Sequence, residues 1–134
     1  MAFWTLEQLI ADGAFVPGNV IDAFLSREIF GIGGTVKHAL AHRKGGRDWR
    51  DCGLRSAGNG ALMRIAPILI PHLRCPSPGL WADAALCGML THNDSASIAS
   101  CLAFVYLLWG LLRMDAPPHP SCMRKTRKRQ SSAR

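Results

Sequence analysis

The chain has 134 residues, long enough to bury a core without a disulfide or metal staple. Apolar residues make up 49% and charged residues 19%, which excludes wholesale disorder, and the 13 Gly and eight Pro follow no period, which excludes collagen-like and low-complexity classes. The net charge of +7 is lodged at one end: after Leu112 seven basic residues face the single acid Asp115, while residues 1–112 carry only +1, so the body lacks the basic folded face of a nucleic-acid-binding domain.

In chain order, residues 2–12 place Phe3, Leu6, Leu9 and Ile10 on one helical stripe, with Gly13 as the stop. Pro17-Gly18-Asn19 opens a second helix, with Asn19 as its expected N-cap and Val20, Ile21, Phe24, Leu25 and Ile29 on its apolar face. Gly31, Gly33 and Gly34 break that pattern. Thr35 is expected to cap a third helix running to about Arg43. Residues 44–59 read as a polar, Gly-containing loop. An apolar helix is expected from Gly60, bent or split at Pro67 and ended by Pro71. A fifth spans about Pro78 to Leu90, and Asp94 caps the last, Ser95 to Leu112. No segment alternates with period two, so the fold class is all-α, a compact helical bundle.

The apolar run Ile98–Leu112 has 15 residues, short of the about 20 that a membrane span needs. It reads as the central helix of a soluble bundle. The segment after it is Pro-rich, then basic, then Ser-rich. The expected division is a helical domain over 1–112 and a disordered tail over 113–134. Cys52, Cys75, Cys87, Cys101 and Cys122 are odd in number and show no C-x-x-C spacing. With no basic segment at the amino terminus and Glu7 interrupting its apolar run, the expectation is no secretory signal and a reducing cytoplasm.

The stretch richest in chemistry is Ser56-Ala57-Gly58-Asn59-Gly60-Ala61-Leu62-Met63-Arg64. Glycines let a backbone approach a ligand closely, and free N–H groups at a helix start attract anions. Ser56 and Asn59 add side-chain donors and Arg55 adds charge, together a workable diphosphate cradle. Spacing alone favours an ordinary capped loop. The same holds for Thr91-His92-Asn93-Asp94, where His92 is a candidate ligand donor and Asp94 the simplest cap. Weaker constellations are His38 with His42, His72 with Cys75, the carboxylates Asp48 and Asp51 about Trp49, and the cationic cluster Arg124–Arg129. His72 with Cys75 has a zinc-like spacing but no second pair, and the others read first as solvated surface.

Taken together, Gly58-Asn59-Gly60-Ala61-Leu62-Met63-Arg64, Thr91-His92-Asn93-Asp94 and the upstream Phe30-Gly31, Gly34-Thr35 and Ala39-Leu40 resemble the middle of the ADP-ribosylglycohydrolase family. The resemblance covers residues 1–112. It implies an all-α fold and a binuclear Mg²⁺ or Mn²⁺ centre in the full-length family. It also implies a diphosphate and ribose site at Ser56, Gly58, Asn59 and Gly60, with His92 touching bound ADP-ribose. Family metal ligands lie in a T-D-D-T run and a D-x-D-T run, and this chain carries neither. The chain is therefore expected to be a central slice cut at both ends, with no catalytic residue and no metal ligand of its own, inactive alone. Its expected partner is ADP-ribose or an ADP-ribosylated protein, with no specific nucleic acid and no membrane. The alternatives are a non-catalytic ADP-ribose-binding module and a small membrane-associated protein with a basic tail.

Overall fold

The computed structural model describes residues 1–73 and 77–114. Among the described residues five α-helices form: α1 (Ala2–Asp12), α2 (Pro17–Leu25), α3 (Gly34–Lys44), α4 (Gly79–Met89) and α5 (Ser95–Leu112). Three 3-10 segments, Trp49–Asp51, Leu62–Arg64 and Ala66–His72, lie between α3 and α4 among the described residues. The fold is all-α. The expected tail lies outside the described residues from Asp115 onward, as do Cys75 and Cys122.

Two apolar clusters hold the helices together. Leu9, Ile65, Ile68, Leu69, Leu80, Ala84, Cys87, Cys101 and Val105 belong to the first. Val20, Ile21, Phe24, Val36, Leu40, Cys52 and Leu90 belong to the second, and Phe15 packs against both. Around them, Arg43 grips Asp22 through two bonds of 2.6 and 2.7 Å, tying α3 to α2. His72 Nε2 lies 2.9 Å from Asp83 Oδ2, tying the Ala66–His72 segment to α4.

Local chemistry departs from the sequence expectation at several points. Helix α1 buries Thr5 and Leu9, while Phe3 and Ile10 are 77% and 73% exposed. Among the described residues it packs on α2 and on the Leu62–Arg64 and Ala66–His72 segments, so the i, i+4 pair on that side is buried while Phe3 and Ile10 are not. Val16 caps α2, and Pro17 supplies the first helical residue with its φ already set. Asn19 instead donates its side-chain amide to Asp12 at 3.0 Å. Gly33 caps α3, because the Thr35 hydroxyl is engaged by Ser56 Oγ at 3.1 Å.

Residues 60–72 do not form one bent α-helix. Pro67 and Pro71 lack the N–H that an α-helical ladder requires, and the chain takes tighter 3-10 turns. Asp94 caps α5 as expected, its Oδ1 accepting from Ala96 N–H at 2.9 Å. But α5 is not central. It buries only Ser97, Cys101 and Val105, a single i, i+4, i+8 stripe toward α4, and leaves Tyr106, Leu107 and Leu112 more than half exposed. By length and composition it is the one described helix able to cross a membrane.

Candidate functional site

Two loops far apart in sequence meet on one side of the fold. The Leu54 N–H donates to the Thr91 carbonyl at 3.1 Å, within an isolated parallel bridge between Leu54 and His92. That approach requires glycine at position 53, where a Cβ would stand 2.0 Å from the Met89 carbonyl oxygen and 3.0 Å from Asn93 Cβ. Downstream, the Ser97 hydroxyl on the first turn of α5 donates to the Gly58 carbonyl at 3.2 Å. Ser56 Oγ accepts from Gly58 N–H at 3.4 Å and bonds Thr35 Oγ1. The Ser56–Gly60 loop is thus held from α3 on one side and α5 on the other.

His92 is 3% exposed and lies under this loop. A Cβ on Gly58 would stand 3.3 Å from its Nε2, and one on Gly60 would stand 2.8 Å from Cε1 and 3.2 Å from Nε2. Asn59, between the two glycines, is exposed. Its carbonyl accepts from Met63 N–H at 3.1 Å. Among the described residues, the backbone N–H groups of Asn59 and Gly60 have no protein acceptor. Ser56, Gly58, Asn59, Gly60 and His92 therefore occupy one place.

The loop leads into the three-residue Leu62–Arg64 turn, not into an α-helix. A turn of that length lacks the aligned peptide dipoles of a helix start. The positive field beneath the loop comes from Arg64, the last residue of the motif, which sequence reasoning left without a role. Arg64 is 2% exposed. It donates to the Gly60 carbonyl at 3.0 Å, the Cys87 carbonyl at 3.1 Å and Thr91 Oγ1 at 2.7 Å. Its guanidinium also lies over the Phe24 ring, 5.5 Å from the centroid. A forked, planar cation can serve three acceptors in different directions, which a lysine ammonium on one stem cannot reproduce. Nε alone is left without a partner among the described buried side-chain atoms. Burial pulls the guanidinium below its usual pKa.

Thr91 Oγ1 in turn lies 2.8 Å from His92 Nδ1. Burial, and then the Arg64 charge, hold His92 below the ordinary histidine value of 6.5. Thr91 is part of the Thr91–Asp94 motif but has no role of its own there, and Gly53 lies in no motif. The available signal was an arginine set between Met63 and Ile65 in an apolar stretch, four residues after Gly60 and so able to reach back to its carbonyl.

Beside the loop, a cavity of about 300 Å³ opens between residues 29–33, Val36, Gly60, Met63 and Arg64. Its walls at Ile29, Ile32 and Val36 are apolar.

Of the other candidates, His42 and Asp48 have structural roles and His38, Asp51 and Arg55 are exposed. His42 is half-buried, its Nδ1 3.1 Å from the Cys52 carbonyl, and so is not simply solvated as expected, while His38 is exposed. Asp48 caps the Trp49–Asp51 turn and pairs with Arg50, and Asp51 is exposed. Arg55 is exposed. Cys75, proposed beside His72, and Arg124–Arg129 fall outside the described residues.

No curated protein and no solved structure matches the chain. One family model does, ADP-ribosylglycohydrolase, over residues 1–132, a span reaching past the residues 1–112 on which the sequence resemblance rests. With its Gly58–Gly60 loop seated on His92 of the Thr91–Asp94 turn, the chain belongs to the ADP-ribosylglycohydrolase family.

Proposed function

We propose that this chain binds the ADP-ribose portion of an ADP-ribosylated protein at the Ser56–Gly60 loop and does not cleave the ADP-ribosyl bond by itself. The family acts on ADP-ribosylated substrates. The observation that carries the reading is the pair of N–H groups at Asn59 and Gly60 without an acceptor among the described residues, in a loop whose Gly58 and Gly60 pack on His92 and whose Gly60 carbonyl accepts from Arg64. Preorganised backbone donors near a buried cation suit a diphosphate. The adjoining apolar-walled cavity suits the face of a ribose or base. Ser56 and Asn59 supply further polar contacts, and the setting we assign is the cytoplasm.

The family is metal-dependent. Among the described residues no group of three or more His, Cys, Asp or Glu side chains is gathered to hold an ion. The described residues do not fit a binuclear Mg²⁺ or Mn²⁺ centre, and in this reading the chain supplies binding in place of an activated water. Calorimetry with ADP-ribose, alongside release of ADP-ribose from a modified protein, tests this. Binding without turnover is the expected pair of results. Turnover abolished by chelator and restored by Mg²⁺ or Mn²⁺ would overturn it. A second reading, membrane association, draws on the mostly exposed apolar surface of α5. Flotation of the chain with phospholipid vesicles would favour it.

A further inference from the structure

Arg64, Thr91 and His92 form a directed chain of hydrogen bonds. An arginine has donors only, so its Nη2–H must donate to Thr91 Oγ1 across the 2.7 Å contact. The hydroxyl has one proton of its own to place. Among the described residues, the remaining polar partner of Oγ1 is His92 Nδ1, at 2.8 Å. The hydroxyl proton therefore points to Nδ1, which must accept it with a lone pair. In a neutral imidazole the ring proton then sits on Nε2.

We infer that Arg64 and Thr91 are positioning residues that fix His92 as its Nε2–H tautomer, so that it presents an N–H donor to an anionic ligand at the Gly58–Gly60 loop. The opposite tautomer would have Nδ1–H donating to Oγ1, leaving a buried hydroxyl proton with no acceptor. A doubly protonated ring would do the same and add a second cation one hydroxyl away from Arg64. Nε2 is the ring nitrogen nearest the loop, 3.3 and 3.2 Å from the Cβ positions of Gly58 and Gly60. A donor there, beside the N–H groups of Asn59 and Gly60, selects for oxygen anions and against cations. The ligand identity rests on the function proposed above; the tautomer does not.

The test is a two-bond ¹H–¹⁵N correlation spectrum of the full-length chain at neutral pH, with the His92 signals assigned by their loss in His92→Gln. The expected pattern is an unprotonated, hydrogen-bond-accepting Nδ1 and a protonated Nε2. A protonated Nδ1 in the wild-type chain overturns the inference whatever any variant does. Thr91→Val removes the hydroxyl at constant shape and should produce a tautomer mixture, while Thr91→Ser keeps the hydroxyl and should keep the single tautomer. A folded Thr91→Val chain with the wild-type pattern would also overturn it. In a parallel titration with ADP-ribose, Thr91→Val should bind about tenfold more weakly and Thr91→Ser about as well as wild type. If ADP-ribose binds neither wild type nor variants while the tautomer pattern holds, the relay stands and the proposed function fails.

Discussion

The His92 ring lies so close to Gly60 that a methyl group there would stand 2.8 Å from Cε1. The ring has little freedom to retreat, because Thr91 Oγ1 holds its Nδ1 at 2.8 Å. Gly60→Ala should therefore displace His92 or lift the loop. The expected stability cost is about 1–3 kcal/mol, as for other overpacked sites. ADP-ribose affinity should fall with it. Thermal unfolding and calorimetry measure the two effects, and a Gly60→Ala chain with wild-type values for both would show that the contact is loose.

Asn59→Ala should separate binding from folding. Asn59 is exposed and holds Met63 through its backbone carbonyl, which alanine retains. Stability should stay within about 0.5 kcal/mol of wild type. Affinity for ADP-ribose should drop by roughly 1–3 kcal/mol, the effect of losing one polar partner. Unchanged affinity would remove Asn59 from the site.

Gly53→Ala should be among the most damaging single-methyl additions in the chain. Its Cβ would sit 2.0 Å from a backbone oxygen, that of Met89, which cannot swing aside as a side chain can. A loss of about 3 kcal/mol or more is expected in urea unfolding. The Leu54 amide should also lose hydrogen-exchange protection as its bond to Thr91 opens. Retained protection would mean that the two loops had shifted together.

The lowered His92 pKa makes the fold sensitive to acid. The folded chain resists a proton that the unfolded chain takes up near the ordinary value of 6.5. The stabilising contribution is complete above that pH and is lost as the pH falls from 6.5 toward the lowered folded value. Between pH 7.5 and 5.5 the Tm of the wild type should decline more than that of His92→Gln. Equal declines would assign the acid sensitivity to other groups.

Burial pushes the Cys87 thiol up to about 11, and raises that of Cys101 as well. Few thiolates exist at such sites near neutral pH, and both residues are fully buried. A maleimide should leave Cys87 and Cys101 unlabelled in the native chain and label them in urea, as read by peptide mass mapping. Fast native labelling of Cys87 would contradict the packing of α4 against α5.

Most helix bounds were legible because local signals decided them. Gly13 ended α1, and the Asp94 carboxylate capped α5 at the expected residue. The candidate loop at Ser56–Gly60 was legible through its motif and not through its spacing. What the sequence hid depends on neighbours. Periodicity located the apolar residues of α1 but not which of them α2 would cover, so Phe3 and Ile10 emerged exposed. Asn19 and Thr35 looked like caps, yet Asp12 and Ser56 claimed their side chains. The Arg64 role was hidden for the same reason. Its acceptors at Cys87 and Thr91 lie 23 and 27 residues downstream, and no local pattern announces them.

The bond from Ser97 to the Gly58 carbonyl spans 39 residues, and that separation has a kinetic meaning. As the chain is synthesised, the Ser56–Gly60 loop leaves the ribosome before the Thr91–Ser97 segment on which it rests. Long-range closures of this kind form late, after their entropic cost has been met by other contacts. The ligand capture proposed here would thus be acquired by the nascent chain only once α5 has begun to emerge. Until then Arg64, whose Cys87 and Thr91 acceptors lie downstream, has no reason to leave water. The step that buries this cation is the step that completes the loop's support, so folding intermediates that stop short of it should be unable to bind.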